Sequence, residues 1–296
     1  MNWHRAALLL SIIMSTFFTY GDEMMTYVYN GPESAKDTRY NYHWEILKTS
    51  LDKTKTNYGS YQMLPSSNMN EKLQIKQLKR GSGNLTVIVR ETSVEYEEIL
   101  LPIRIPVDKD LVGYRVFLIR KEDQKRFSGI TMLEHLKEVT IGQGQGWGDV
   151  DILRANGFFV DEGTNYEGLF KMLIKKRFDA FSRGVAEVID EFEQRKVNLP
   201  SLHIEETIAL YYPLPTYFWF SKNKQGEILA ERVKEGLYTM LDDGSFNKIF
   251  NEYHKHVISR HDLGNRKIFR LNNPFLPKET PFDDERLWYK PILNKN

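Results

Sequence analysis

The segment of residues 139–187 constrains the fold more than any other part of the chain, because short apolar runs alternate along it with amphipathic stretches. The apolar runs have the length of strands, and the stretches between them keep apolar residues at helical spacing. This alternation predicts an open α/β sheet, in which ligands bind beyond the carboxyl ends of the strands. The predicted strands cover residues 139–141, 158–160 and 178–181, and the predicted helices cover residues 147–155 and 166–174.

The same alternation precedes and follows this segment. Between residues 25 and 89 the predicted order is β-α-β-α-β, which indicates the start of a second layered unit. The chain beyond His254 is polar and interrupted by prolines, so we expect an extended tail on the surface. The further predicted strands cover residues 25–29, 61–64, 85–89 and 113–119, and the further predicted helices cover residues 40–51, 71–79, 186–196, 227–241 and 246–253.

Composition bounds the class of protein. The chain has 296 residues, of which 41% are hydrophobic and 27% charged, which suits one large or two ordinary globular domains. A formal net charge of +1 gives no electrostatic reason to expect nucleic acid as a partner. The absence of cysteine excludes disulfides, thiol catalysis and thiolate metal sites.

The N-terminus has the pattern of a secretory signal peptide. Arg5 precedes a mainly apolar run over residues 6–18, and residues 19–21 offer a small-residue cleavage site before Asp22. The run is shorter than the roughly 20 residues that span a bilayer. We therefore expect residues 1–21 to be a signal peptide, with an uncleaved anchor or a buried helix as the alternative.

Four blocks follow one another in an order that resembles the periplasmic solute-binding proteins of the amino-acid type, family 3. These proteins have the two-lobed type II periplasmic-binding fold. The resemblance spans nearly all of residues 22–254. Its blocks are residues 101–106 followed by 113–119, residues 130–146, residues 166–183 with Arg-Phe-Asp-Ala at 177–180, and residues 216–253.

The resemblance implies an α/β fold with a cleft between two lobes, each an open, mostly parallel sheet flanked by helices. The first lobe would comprise residues 22–119 and 214–256, the second residues 120–213, and residues 257–296 would form the tail. Such lobes close over a small ligand by hinge bending. The implied function is capture of a small polar or anionic solute in the periplasm for an ABC-type permease or a membrane sensor. We expect a monomer with no cofactor, metal, nucleic-acid partner or enzyme activity.

One segment departs from the family pattern. Amino-acid-binding relatives present Thr or Ser and, a few residues later, an arginine that clamps the ligand carboxylate. Here Thr92 and Ser93 are followed by Tyr96 where that arginine would fall, and Arg90 precedes them. The departure argues against a plain α-amino-acid ligand.

Several polar and aromatic residues fall where the predicted strands end. Arg183 could pair with an anionic ligand group, or form a structural ion pair instead. The glycine loop at residues 142–146 precedes a predicted helix N-terminus, which favours a polar or anionic group, or it serves turn geometry alone. Asp149 is expected to cap its own helix, and core packing is the alternative for each aromatic residue. The predicted ligand-binding residues are Arg183, Thr92, Ser93, Tyr29, Tyr96, Gln143, Gln145, Trp147, Tyr166 and Tyr211.

Other chemistries find little support in the sequence. The glycines at 142, 144 and 146 do not give G-x-G-x-x-G, no P-loop lysine follows them, and H-E-x-x-H is absent. His254 and His256 are expected to be exposed rather than metal ligands. Two alternatives to a binding protein stay open. One is a ligand-free scaffold or signalling partner, and the other is a dehydratase-like enzyme using Glu91 or Glu95.

Overall fold

The computed structural model describes residues 24–31, 40–67, 69 and 71–291, so the predicted signal peptide at residues 1–21 lies outside the described residues. The strands are β1 Met25–Tyr29, β2 Tyr61–Pro65, β3 Ile88–Glu91, β4 Leu100–Ile103, β5 Tyr114–Arg120, β6 Ile141–Gly144, β7 Val160–Gly163, β8 Ala180–Gly184, β9 Leu202–Ile204, β10 Ile208–Tyr211, β11 Thr216–Ser221 and β12 Lys267–Arg270.

The helices alternate with these strands, as the sequence predicts for an α/β protein. They are α1 Asn41–Lys53, α2 Lys55–Tyr58, α3 Glu71–Arg80, α4 Val94–Ile99, α5 Gln124–Ser128, α6 Leu133–Lys137, α7 Gly148–Ala155, α8 Tyr166–Ile174, α9 Val188–Arg195, α10 Lys224–Asp242 and α11 Ser245–His261. Within the described ranges, none of them is long and apolar enough to cross a membrane.

The first lobe is built from two small sheets and the helices around them. β1 pairs with β2 in parallel, and β11 lies between β3 and β4, antiparallel to both. α1 packs closely on α10, because Gly236 brings the two backbones together: a Cβ there would lie 2.1 Å from the carbonyl oxygen of Ser50. The apolar face of α1 is thereby buried.

The second lobe is a larger mixed sheet in the order β12-β10-β5-β8-β6-β7, with β9 also paired to β5. All seven residues of β5 are buried, because the strand has neighbours on both edges and helices pack over the sheet. β5 runs antiparallel to β8, β9 and β10. The sheet is therefore mixed, whereas the resemblance implies a mostly parallel sheet.

The position of β5 also bears on the lobe boundary. The resemblance implies a first lobe that extends to residue 119, but among the described residues β5 pairs only with strands of the second lobe. We therefore propose that the chain first crosses between the lobes near Gly113. It returns through residues 212–215, where Tyr212 N donates to the carbonyl oxygen of Gly113 at 3.2 Å.

The C-terminal region is more ordered than the sequence suggested. The predicted extended tail from residue 257 instead continues α11 to His261 and then forms β12, parallel to β10 at the sheet edge. His254, expected to be exposed, is buried against Tyr42, with ring centroids 4.4 Å apart. Burial lowers the pKa of His254 to about 4.

The close approach of α1 and α10 gives a first testable prediction. Gly236→Ala places a methyl group against backbone that cannot move aside, so we expect a loss of about 2 kcal/mol in the free energy of unfolding, measured by urea denaturation. Gly168→Ala is the matched control, because a Cβ there meets Asn165 Oδ1 at an ordinary 3.4 Å. Equal unfolding midpoints for the two variants would contradict this packing.

Candidate ligand site between the lobes

A cavity of about 500 Å³, here called the outer cavity, lies between the lobes. The end of β3 and the start of α4 line it from the first lobe, and the start of α7 lines it from the second. It is bounded by residues 91–96, 146–148, 150–152 and 273–275 together with Arg154, Glu162 and Leu214. Both lobes therefore contribute to its surface.

A smaller cavity of about 160 Å³, the inner cavity, adjoins it and shares Glu91, Trp147 and Leu214 as lining residues. Its remaining wall is rich in charged side chains. These are Arg90, Asp108, Arg115, Asp149, Arg183 and Glu187.

Trp147 stands between the two cavities, and the glycine loop explains how it gets there. A Cβ on Gly144 would lie 2.3 Å from the indole ring, so only glycine leaves room for it. Gly146 has φ of 80°, a left-handed conformation that glycine adopts without strain. The indole stacks on Phe181 with centroids 6.2 Å apart and planes 20° apart. The glycines thus serve the turn and the placement of the ring.

Arg183 lies at the end of β8 and lines the inner cavity, but its charge is already matched. Its Nε and a terminal nitrogen donate to Glu191 at 2.7 Å and 2.5 Å, and Glu187 lies 3.1 Å away. Burial lowers the pKa of Arg183, but Glu187 and Glu191 more than offset this, so the pKa stands above its usual value. The arrangement is the structural ion pair that the sequence left open.

Sequence reasoning missed a second buried cluster in this wall. Arg115 on β5 pairs with Asp149 on α7, and Arg115 Nε donates to the hydroxyl of Tyr212 at 3.1 Å. That hydroxyl donates to Asp149 Oδ1 at 2.5 Å. Asp149 lies in the first turn of α7, whose N-cap residue is Trp147, and its carboxylate binds Arg115 and Tyr212 instead of serving as the expected cap. The three groups satisfy one another and leave no unmatched charge in the cluster.

Three predicted residues line the outer cavity from the first lobe. Thr92 N donates to the carbonyl oxygen of Pro215 at 2.9 Å, which fixes the end of β3 beside the returning linker. Ser93 caps α4, its Oγ accepting from Tyr96 N at 3.2 Å. The Tyr96 ring packs edge-on against Trp219, with centroids 6.1 Å apart. Thr92, Ser93 and Tyr96 are thus held in place at the cavity wall.

Five predicted residues line neither cavity as described. Tyr29 packs on Trp44, and Gln145 is exposed. Gln143 is fully buried and donates to the carbonyl oxygen of Ser182 at 3.3 Å. Two hydroxyls donate to carboxylates, that of Tyr166 to Glu191 at 2.5 Å and that of Tyr211 to Asp110 at 2.9 Å.

Carboxylates dominate the charge of the outer cavity. Its lining carries Glu91, Glu95, Asp151 and Glu162 against Arg154 alone, and Arg154 pairs with Glu162 at 2.8 Å. Glu91 reaches across the cleft: its Oε1 lies 3.6 Å from where a Cβ on Gly148, the first residue of α7, would stand. Within the described ranges, no group of three or more His, Asp or Glu side chains is placed to hold a metal ion.

The linker between the lobes contains two buried carboxyl groups. Asp110 accepts from Tyr211 at 2.9 Å and from Leu214 N at 2.8 Å, joining the two crossings of the chain. Asp108 accepts from Asp110 N at 3.1 Å. Burial raises the pKa of the Asp108 carboxyl to about 7, although backbone hydrogen bonds lower it in part.

The buried cluster predicts the effect of removing one partner. Asp149→Ala leaves Arg115 buried without its carboxylate, so we expect a loss of about 3 kcal/mol in the free energy of unfolding. Asp151→Ala, two residues along α7 and exposed, should change it by less than about 0.5 kcal/mol. Urea denaturation of both variants measures the difference, and similar losses would show that the cluster does not stabilise the lobe.

The raised pKa of Asp108 predicts a pH dependence. Between the unfolded pKa of about 3.9 and the folded pKa of about 7, the folded protein keeps a proton that the unfolded chain releases, so stability falls as pH rises. Asp108→Asn removes this loss. Its free energy of unfolding relative to the original protein should rise by about 2.6 kcal/mol between pH 5 and pH 8. A constant difference across that range would contradict a buried, protonated Asp108.

Comparisons with known proteins return structures alone: no protein-family model matches the chain, and no curated protein matches it. An ancestral arginine-binding protein bound to arginine shares 18% identity at a TM-score of 0.54, covering 78% of this chain and 98% of that one. A Salmonella typhimurium periplasmic binding protein with high arginine specificity shares 12% identity at a TM-score of 0.53, and the alignment covers 77% of this chain and 99% of that one. A Streptococcus mutans structure from work on glutathione import shares 14% identity at a TM-score of 0.56, and the alignment covers 78% of this chain and 95% of that one.

These neighbours are binding proteins, and the alignments cover nearly the whole of each of them. At such low identity the likeness speaks for the fold. The chain has the two-lobed α/β fold of the amino-acid-type periplasmic binding proteins, as the sequence predicts.

Proposed function

We propose that this chain is a solute-binding protein that captures a small, positively charged solute between its two lobes. It would act outside the cytoplasmic membrane as a monomer and hand the solute to an ABC-type permease or a membrane sensor. The observation that carries the proposal is the outer cavity, whose walls come from both lobes. A ligand bound there contacts both lobes at once, and such contacts favour the closed form over the open one.

The size of the outer cavity supports a small-molecule ligand. Ligand pockets generally measure a few hundred to about 1,000 Å³ and combine aromatic walls with a few placed polar groups. The outer cavity holds about 500 Å³ and offers Tyr96, Trp147 and Phe275 beside the hydroxyl residues Thr92 and Ser93. For a ligand-free scaffold we would instead expect a cleft filled by the protein's own side chains.

The charge of the lining favours a cationic group over the anionic one that the sequence suggested. Besides Glu91, the lining carries the carboxylates of Glu95 and Asp151, and its one arginine, Arg154, is matched with Glu162. Arg183 was the residue expected to hold an anion, but it lines the inner cavity and is bound by two glutamates. A solute with a guanidinium or ammonium group therefore fits this lining best, and several fold neighbours are named for arginine.

The enzyme alternative is less well supported. Glu91 and Glu95 do line the outer cavity, as the sequence proposed for a general acid or base. The described lining residues include no histidine or lysine to complete an acid–base pair. The fold neighbours named above are binding proteins. We propose that the chain is not an enzyme.

The proposal is tested by a thermal-shift screen of residues 22–296. Putrescine, L-arginine and L-lysine should raise the melting temperature, whereas L-glutamate and glucose should not. Because Tyr96 stands where relatives place the arginine that clamps an α-carboxylate, putrescine tests the cationic group alone. A ligand at about 100 times its dissociation constant stabilises the folded state by about 2.7 kcal/mol, a shift well above noise.

Matched variants locate the site. Glu95→Gln removes a carboxylate of the outer cavity and should reduce the shift, while Glu98→Gln on the same helix lies outside the cavity lining and should leave it unchanged. A shift with glutamate alone would overturn the charge argument. No shift with any of the cations would overturn the proposed function.

A further inference from the structure

The C-terminal segment, residues 271–291, leaves the second lobe beside the outer cavity. The backbone N–H of Leu271 donates to the carbonyl oxygen of Tyr211 at 2.8 Å, directly after β12. Asn156, at the end of α7, binds the residue after Leu271 through both polar atoms of its side chain. Its Nδ2 donates to the carbonyl oxygen of Asn272 at 2.7 Å, and its Oδ1 accepts from Asn272 N at 3.2 Å.

Within three more residues the segment reaches the linker and the first lobe. The buried Asn273 donates through Nδ2 to the carbonyl oxygen of Pro213 at 2.8 Å, and its Oδ1 accepts from Phe275 N at 3.0 Å. The carbonyl oxygen of Phe275 then accepts from Val94 N at 3.3 Å, at the start of α4. Residues 271–275 are thus fixed to both lobes and to the returning linker.

The rest of the segment is also anchored. Arg286 pairs with Asp242 of α10 at 3.1 Å, and Tyr289 N donates to the carbonyl oxygen of Lys109 at 2.7 Å. Trp288 stacks on Phe282, with centroids 4.9 Å apart. Arg286 and Tyr289 thus anchor the far end of the segment to α10 and to the linker.

Phe275 is left partly uncovered by this arrangement. Its side chain lines the outer cavity and is 41% exposed, although the backbone on both sides is held by hydrogen bonds. Tyr96 of the first lobe and Trp147 of the second line the same cavity. Three aromatic rings from three separate parts of the chain therefore surround a space whose other walls carry carboxylates.

We propose that Phe275 is a specificity-determining residue, which makes the C-terminal segment a third wall of the ligand site. Aromatic faces attract cations through the ring quadrupole, and the attraction grows when the cation is desolvated. A guanidinium or alkylammonium group between Phe275, Tyr96 and Trp147 would share the cavity with the carboxylates of Glu95 and Asp151 and cover the exposed ring. This inference rests on the proposed function, because it names a contact for the solute captured there.

The test compares binding by three variants of the full mature chain. L-Arginine and putrescine are titrated by calorimetry into the original protein, Phe275→Ala, Phe275→Tyr and Phe159→Ala. Phe159 is the matched control, since its side chain is 70% exposed and lies outside the cavity lining. We expect Phe275→Ala to weaken binding about tenfold, Phe275→Tyr to retain it within about twofold, and Phe159→Ala to leave it unchanged.

The outcomes separate this inference from the function beneath it. If the original protein binds a cation and Phe275→Ala binds it equally well, the third wall is refuted while the solute-binding function stands. If the original protein binds neither probe, the proposed function fails and this inference fails with it. Melting temperatures without ligand should agree among the variants, and a loss of binding that accompanies unfolding of Phe275→Ala alone would also refute the proposal.

Discussion

The buried pairing of Arg115 with Asp149 and Tyr212 fixes the cleft face of the second lobe. It joins β5, α7 and the first residue of the returning linker, three parts of the chain that lie far apart in sequence. A guanidinium and a carboxylate taken out of water are stable only when their hydrogen bonds are completed, and the tyrosine hydroxyl completes them here. Because Asp149 is bound by Arg115 and Tyr212, the first turn of α7 is fixed in place against β5.

That position determines the rest of the site. Trp147 immediately precedes α7, and Gly144 gives its ring the space to lie on Phe181. The ring lines both an inner cavity, where Arg115 and Arg183 are paired with carboxylates, and an outer cavity, where carboxylates exceed the cations. We propose that the ion pairs of the inner cavity stabilise the lobe and that Glu95 and Asp151 of the outer cavity face the solute. This division of roles leads from the packing of one cluster to the proposed selection of cations.

The sequence predicted those features that depend on local pattern. Apolar residues at helical spacing located α1, α8 and α10, and the glycine loop pointed to the start of α7. β12 could not be predicted, because this four-residue strand with a charged residue at each end gains its place only by pairing with β10, and the C-terminal segment continues from it. The lobe to which β5 belongs likewise depends on which strands it pairs with, and a buried apolar run does not specify its partners.

The candidate site was predicted in part for the same reason. Thr92, Ser93, Tyr96 and Trp147 lie at strand or helix ends, which a pattern can locate. The partners of Arg183 and Arg115 could not be found this way, since an arginine at a strand end looks the same whether it meets a ligand or a glutamate. Tyr211 and Tyr212 illustrate the point. Adjacent on one chain, they donate to Asp110 and Asp149, and alternation alone does not say which acid each one meets.

The central claim is that a cationic solute is held between the lobes, and the distance between the lobes tests it most directly. The chain has no cysteine, so Lys76→Cys on α3 and Lys171→Cys on α8, both exposed, can carry one spin label on each lobe without interference. Pulsed electron paramagnetic resonance then gives the distribution of distances between the two spin labels. The account predicts a shorter and narrower distribution on addition of saturating L-arginine. A distribution that arginine leaves unchanged would contradict capture of this cation between the lobes.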